Sequence, residues 1–143
     1  MKKRQVVITG AGASGLMAAI MAARKGAAVT VLEQNEKPGK KICATGNGRC
    51  NFSNLAKPDD AYRGEHPEFA EGALVQFSVE DTIDFFREIG IYPLNRNGYL
   101  YPRSNQAQSV VDVLCMEAAS LGVKIKTNEQ VTDCLLYTSP SPR

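Results

Sequence analysis

QVVITGAGASG, residues 5–15, runs from a short β-branched apolar segment straight into glycines at positions 10, 12 and 15. Val, Ile and Thr are stiff at χ1 and suit a pleated surface. A short apolar run bounded by glycine predicts a buried strand of a parallel sheet. The next residues, LMAAIMAARKG (16–26), are rich in strong helix formers and end on a glycine suited to the position just past a helix. Their many alanines let that helix lie close to a sheet. AAVTVLE, residues 27–33, predicts a second buried strand. Residues 5–33 therefore predict one βαβ unit with a right-handed crossover.

Each glycine has a physical task in such a unit. Gly10 permits the tight exit from the strand, Gly12 lets a phosphate approach a backbone without a Cβ, and Gly15 lets the helix sit close on the strand. The helix N-terminus offers free N–H groups and partial positive charge to a pyrophosphate. Glu33 closes the second strand eighteen residues after Gly15, where a carboxylate can accept both hydroxyls of an adenosine ribose. Its charge repels a 2′-phosphate, which disfavours NADP at this position. The glycine spacing alone is a weak signal; the order strand, turn, helix, strand, acid gives it weight. A glycine-rich turn beside a surface glutamate is the plain alternative. The unit predicts ADP binding without deciding between nicotinamide and flavin.

The 143-residue chain is 43% apolar and 22% charged, typical of a soluble globular domain. A net charge of +2 gives no field that argues for nucleic acid or an anionic membrane. No apolar run approaches the roughly 20 residues that span a bilayer. The basic start MKKR is followed by an apolar stretch that glycines interrupt too soon for a secretory signal, which needs about 7–15 apolar residues. A cytoplasmic location with reduced thiols is expected for Cys43, Cys50, Cys115 and Cys134.

Beyond the second strand, residues 34–57 lack periodicity and predict a long functional loop. Within it, KICATGNGRCNFSN (41–54) carries Gly46 and Gly48 for close backbone approach. Lys40, Lys41 and Arg49 add cationic donors suited to phosphate or an anionic ring. A short helix is expected over 66–77. Ser78, with Asp81 three positions on, predicts a capped helix with Val79, Ile83 and Phe86 on one face and Gly90 at its end. Asn97-Gly98 between apolar flanks predicts a hairpin over 91–102. A helix over 105–121, capped by Ser104 and stopped by Gly122, carries the stripe Val110, Val111, Leu114, Ala118 and Leu121. Residues 123–127 predict a third strand, and 129–133 the start of a fourth. The fold class expected is α/β, a Rossmann-like FAD/NAD(P)-binding domain built on βαβ with a three-layer parallel sheet. Residues 66–102 form an insertion in it. Three strands rarely close such a fold, so the domain is expected to be incomplete and marginal by itself.

Three stretches together, VVITGAGASGLMAAI (6–20), LEQNEKPGKKICATGNGRCNFSN (32–54) and GYLYPRSNQAQSVVDVL (98–114), resemble a bacterial flavoprotein family. Its members have a glutathione-reductase type of FAD domain and include aminoacetone-oxidase-like NAD(P)/FAD-dependent oxidoreductases. The resemblance covers about residues 5–133, and its TGNGRCN core is more specific than the glycine fingerprint. It implies FAD as cofactor, touched by Gly10, Gly12, Ser14, Gly15, Glu33, Gln34, Lys41, Gly46, Asn47, Gly48 and Arg49, with the Val131 backbone at the adenine. It implies hydride transfer between flavin and a small-molecule substrate or NAD(P)H, with a substrate domain and a returning FAD-domain segment beyond this chain. No nucleic-acid or membrane partner is expected, and no acid or base can be named. A noncatalytic dinucleotide-binding module and an NAD-dependent dehydrogenase are the alternatives.

Six residues separate Cys43 from Cys50, wider than the usual gap in structural zinc sites, and His66 is the chain's one histidine. No metal site is expected. A redox dithiol beside the flavin is the alternative to a buried, small-residue role for Cys50. Cys115 reads as helix packing. Tyr92, Tyr99 and Tyr101 read as cross-strand packing or cavity lining. Arg96 and Arg103 read as solvated or as an attraction for an anionic substrate. CLLYTSPSPR, residues 134–143, turns abruptly to Ser, Thr and Pro. It resembles the in-frame translation of a transposase adapter from sequencing libraries. It is therefore expected to be a non-native tail, with a natural Ser/Pro linker as the alternative.

Overall fold

The computed structural model describes residues 3–55 and 62–133. Strand β1 (Gln5–Thr9), helix α1 (Ala13–Arg24) and strand β2 (Ala28–Leu32) form the expected βαβ unit. The two strands are parallel, in register from Gln5 opposite Ala28 to Thr9 opposite Leu32. Helix α2 (Lys40–Ala44), a 3-10 turn over Thr45–Gly48 and the two-residue β3 (Ser53–Asn54) follow. Next come a 3-10 turn over Pro67–Ala70, then α3 (Glu71–Gln76) and α4 (Val79–Glu88). The hairpin β4 (Pro93–Arg96) and β5 (Tyr99–Pro102), α5 (Ala107–Ser120) and β6 (Lys124–Lys126) complete the described elements. The parallel sheet has the order β1-β2-β6, and a small antiparallel sheet has the order β3-β5-β4.

Val29 and Val31 on β2 turn to one side and are buried against Leu16, Ala19 and Ile20 of α1 and Val110, Val111, Leu114 and Ala118 of α5. Both helices thus use small and branched residues to cover one sheet face. Arg24 of α1 ties the helical layer together, pairing with Glu117 of α5 at 2.7 Å and Glu88 of α4 at 3.1 Å. The opposite face is open at β1 and β6, where Val7 is 64% exposed and Lys124 and Lys126 face outward. The first strand was expected to be buried on both faces; among the described residues β1 is at the edge of the sheet, and no described element lies over its outer side. The described residues build two of the three expected layers.

Four further expectations change. The segment after β2 is not structureless. Ile42 is buried, Gly39 donates its N–H to the Ala11 carbonyl (2.8 Å), and a Cβ at Gly39 would strike the Val111 side chain. Packing on α5 supplies the order that periodicity did not reveal. On α4 the buried side chain is Phe85, while Phe86 turns to Phe52 with ring centres 4.7 Å apart. Helix α5 starts two residues later than expected, because Asn105 is left-handed (φ 58°) and Gln106 takes the cap position. Ser104 instead bonds Ser109 between their hydroxyls at 2.6 Å. Residues 129–133 form no strand. Glu129 N–H donates to the Glu33 carbonyl (2.9 Å) and Asn128 N–H to that of Asn35 (3.1 Å), which turns the chain across the end of β2. The 134–143 tail lies outside the described residues.

Candidate dinucleotide-binding site

The turn between β1 and α1 is set by backbone chemistry. Gly10 is left-handed (φ 89°) and donates its N–H to the Leu32 carbonyl (2.7 Å), which fastens the turn to the end of β2. Gly12 is the N-cap of α1 and supplies no side-chain cap, and a Cβ there would meet nothing within 4 Å. Open space therefore stands over the positive end of a twelve-residue helix. Gly15 differs: a Cβ at that position would collide with the Gly10 carbonyl oxygen. Its task is contact between helix and turn.

Glu33 is 6% exposed. One carboxylate oxygen accepts the Ala11 N–H (2.7 Å), and the other accepts the Asn35 N–H (2.8 Å) and side-chain amide (2.6 Å). Burial pushes the carboxyl's pKa up. The hydrogen bonds from Asn35 and Ala11, together with the Lys40 charge, outweigh it, so the pKa lies below its ordinary value. The acid is thus ionised and aimed at neutral pH.

Two clefts meet at this turn. One, of about 680 Å³, holds Glu33, Gln34, Asn35, Lys40 and Val131. The other, of about 720 Å³, has a wall of Met17, Phe52, Phe77, Phe85 and Phe86, with Ser14, Thr45 and Cys50 also at its surface. Thr9, Gly10, Gly12 and Lys41 belong to both and form the saddle between them. The carboxylate-bearing compartment, glycine saddle and aromatic compartment match in order a nucleoside, a pyrophosphate and a second, flatter ring system. The residues present fit a dinucleotide.

Seven of the residues expected at the site are brought together here: Gly10, Gly12, Ser14, Glu33, Gln34, Lys41 and Val131. Gly15 lies beneath the turn. Gly46, Asn47, Gly48 and Arg49 line neither cleft; Gly46 packs instead against Asn51 and the Tyr101 ring.

A model of the HI0933-like protein Rossmann domain matches residues 4–139. The chain belongs to the HI0933-like Rossmann-domain family. Over 129 residues it is 50% identical to the 3-dehydro-bile acid delta(4,6)-reductase of Clostridium scindens, covering 89% of this chain and 32% of that protein. It is 34% identical over 132 residues to the ribosomal RNA dihydrouridine synthase of Escherichia coli, covering 92% of this chain and 33% of that protein. The chain thus spans about a third of the length of these curated relatives. The crystal structure of Thermovibrio ammonificans THI4 shares the fold, with a TM-score of 0.52 and 20% identity over 87% of this chain and 38% of that one.

The HI0933-like chain also places residues in the site that its sequence did not single out. Asn35 follows Glu33 by two positions, and its role needs the turn that folds its amide back onto the carboxylate. The aromatic wall is drawn from segments far apart in sequence and has no local signature. Cys50 is buried and Cys43 donates to the Gln108 side chain (3.4 Å); both are free thiols. Burial pushes the Cys50 thiol's pKa up, which keeps it protonated and a poor nucleophile. Among the described residues, no helix is long and apolar enough to cross a membrane.

Proposed function

We propose that this chain is the FAD-binding portion of a flavin-dependent oxidoreductase that reduces a small-molecule substrate with electrons from NAD(P)H. The carrying observation is the saddle of Gly10, Gly12 and Lys41 between a carboxylate-bearing cleft and an aromatic one. Glu33 would hold the ribose hydroxyls. The α1 N-terminus and Lys41 would neutralise the pyrophosphate. Phe52, Phe77 and Phe86 would exclude water from the flat ring system. Gly46, Asn47, Gly48 and Arg49, which line neither cleft, take no part in this assignment. When bound, the flavin supplies the hydride chemistry, and the protein supplies position and electrostatics.

The names of both relatives describe hydrogen added to a substrate, which supports a reductase. The free thiols support a reducing, cytoplasmic setting. The test uses the complete polypeptide that carries this chain, mixed with excess FAD and passed through gel filtration. Flavin is expected to co-elute and to bleach anaerobically with NADH or NADPH. A colourless protein that retains NAD would return the dehydrogenase alternative. Flavin that stays bound but accepts no electrons would return the noncatalytic module.

A further inference from the structure

The hairpin carries a grouping that the dinucleotide reading does not use. The β4–β5 register sets Arg96 opposite Tyr99 and Leu94 opposite Tyr101, so these four share a face. The Arg96 guanidinium carbon lies 5.7 Å from the centre of the Tyr101 ring. From the Asn/Gly-rich segment, Arg49 reaches to 5.8 Å of the same ring. Arg49 is steadied by its Nε, which donates to the Gly46 carbonyl at 3.2 Å. Two guanidinium groups thus converge on one phenol.

Among the described residues, neither arginine pairs with a carboxylate. A ring quadrupole offsets only part of the cost of holding a guanidinium at such a position. An anion would supply the missing counter-charge through forked, charge-assisted hydrogen bonds. Tyr99 is half exposed and offers a flat ring and a hydroxyl on the same face. Thr45 and Cys50, at the two ends of the segment that carries Arg49, line the aromatic cleft.

We propose that Arg49 and Arg96, held against the Tyr101 ring, bind the anionic group of an aromatic small-molecule substrate. The term substrate rests on the oxidoreductase reading; the anion site itself rests on the two unpaired arginines. The test compares 2-naphthoate with its neutral isostere 2-naphthamide by ligand-detected NMR on the FAD-loaded protein. Naphthoate is expected to bind about fivefold or more tightly than the amide. That preference is expected to vanish in Arg96→Gln and in Arg49→Gln, and to survive largely in Arg96→Lys, which keeps the charge. Equal affinities in the unsubstituted protein, or a preference that outlasts both Gln substitutions, overturns the proposal. Tighter binding of an oligouridylate through the same arginines overturns the small-molecule assignment. FAD affinity is measured in parallel and is expected to stay within about twofold in Arg96→Gln. Failure of the unsubstituted protein to hold FAD sinks the oxidoreductase reading alone, because the naphthoate comparison repeated without FAD still decides the anion site.

Discussion

Glu33 accepts hydrogen bonds from two different segments, the glycine turn through Ala11 and the post-β2 turn through Asn35. The carboxylate therefore serves the shape of the cleft as well as its charge. Glu33→Gln would put an amide NH₂ against one of these N–H donors. We expect a loss of about 1–3 kcal/mol in stability, read by urea denaturation, and FAD binding weakened at least about tenfold. The pH dependence has a definite sign. The folded pKa lies below the ordinary 4.5. The stability from this group is therefore complete above that ordinary value and is lost as pH falls through the lowered folded pKa. Glu33→Gln should lack this component of acid unfolding, and an unchanged acid profile in the variant would refute it. Gly15 makes the opposite kind of demand, since even one methyl group meets the Gly10 carbonyl oxygen. Gly15→Val should push α1 off the turn and lower both the melting temperature and FAD retention. A variant that holds FAD normally would show that the close contact is dispensable.

Among the elements, α4 is the one whose ends the sequence states most fully. Ser78 Oγ accepts the Asp81 N–H (3.1 Å), and Asp81 Oδ2 accepts the Ser78 N–H (2.8 Å), the two reciprocal bonds of a capping box. Ser78→Ala should cost about 1 kcal/mol in denaturant titration; a null effect would mean that α4 is held by packing alone. The hairpin is equally explicit. Asn97 and Gly98 are both left-handed, at φ 52° and 91°, which matches the right-handed twist of the flanking strands. Among the elements that local signals missed is α2. Its five residues carry two lysines and a cysteine, and what makes them helical is contact with α5.

At the scale of the molecule, the described residues leave the parallel sheet with an unpaired edge at β1 and an uncovered face around Val7. Such an edge is a template for another strand, and the apolar face makes association favourable. The 143-residue chain by itself should associate as its concentration rises, as read by sedimentation velocity, and Val7→Lys should reduce that association. A chain that stays monomeric at every concentration would show that the open side is adequately solvated. The Arg24 clamp works against this weakness from the other side of the sheet. It binds α1, α4 and α5 together where their burial is shallow, with the guanidinium also 5.4 Å from the Phe85 ring centre.

The amino-acid sequence by itself determined the βαβ unit, the glycine turn, Glu33, the α4 cap and the Asn-Gly hairpin. Each is written in residues a few positions apart, where backbone sterics and local hydrogen bonds act without help from the rest of the chain. Tertiary structure alone decided which compartments those residues would line. Phe52, Phe77 and Phe86 become one wall only when α4 and the segment after α2 close over the α1 N-terminus. Asn35 becomes a clamp only when its turn folds back onto Glu33. Arg49 is drawn to Tyr101 and not to either cleft, because the left-handed Gly46–Asn47 turn aims it at the hairpin. Contacts between residues distant in sequence depend on how whole elements pack, and no local pattern encodes that packing.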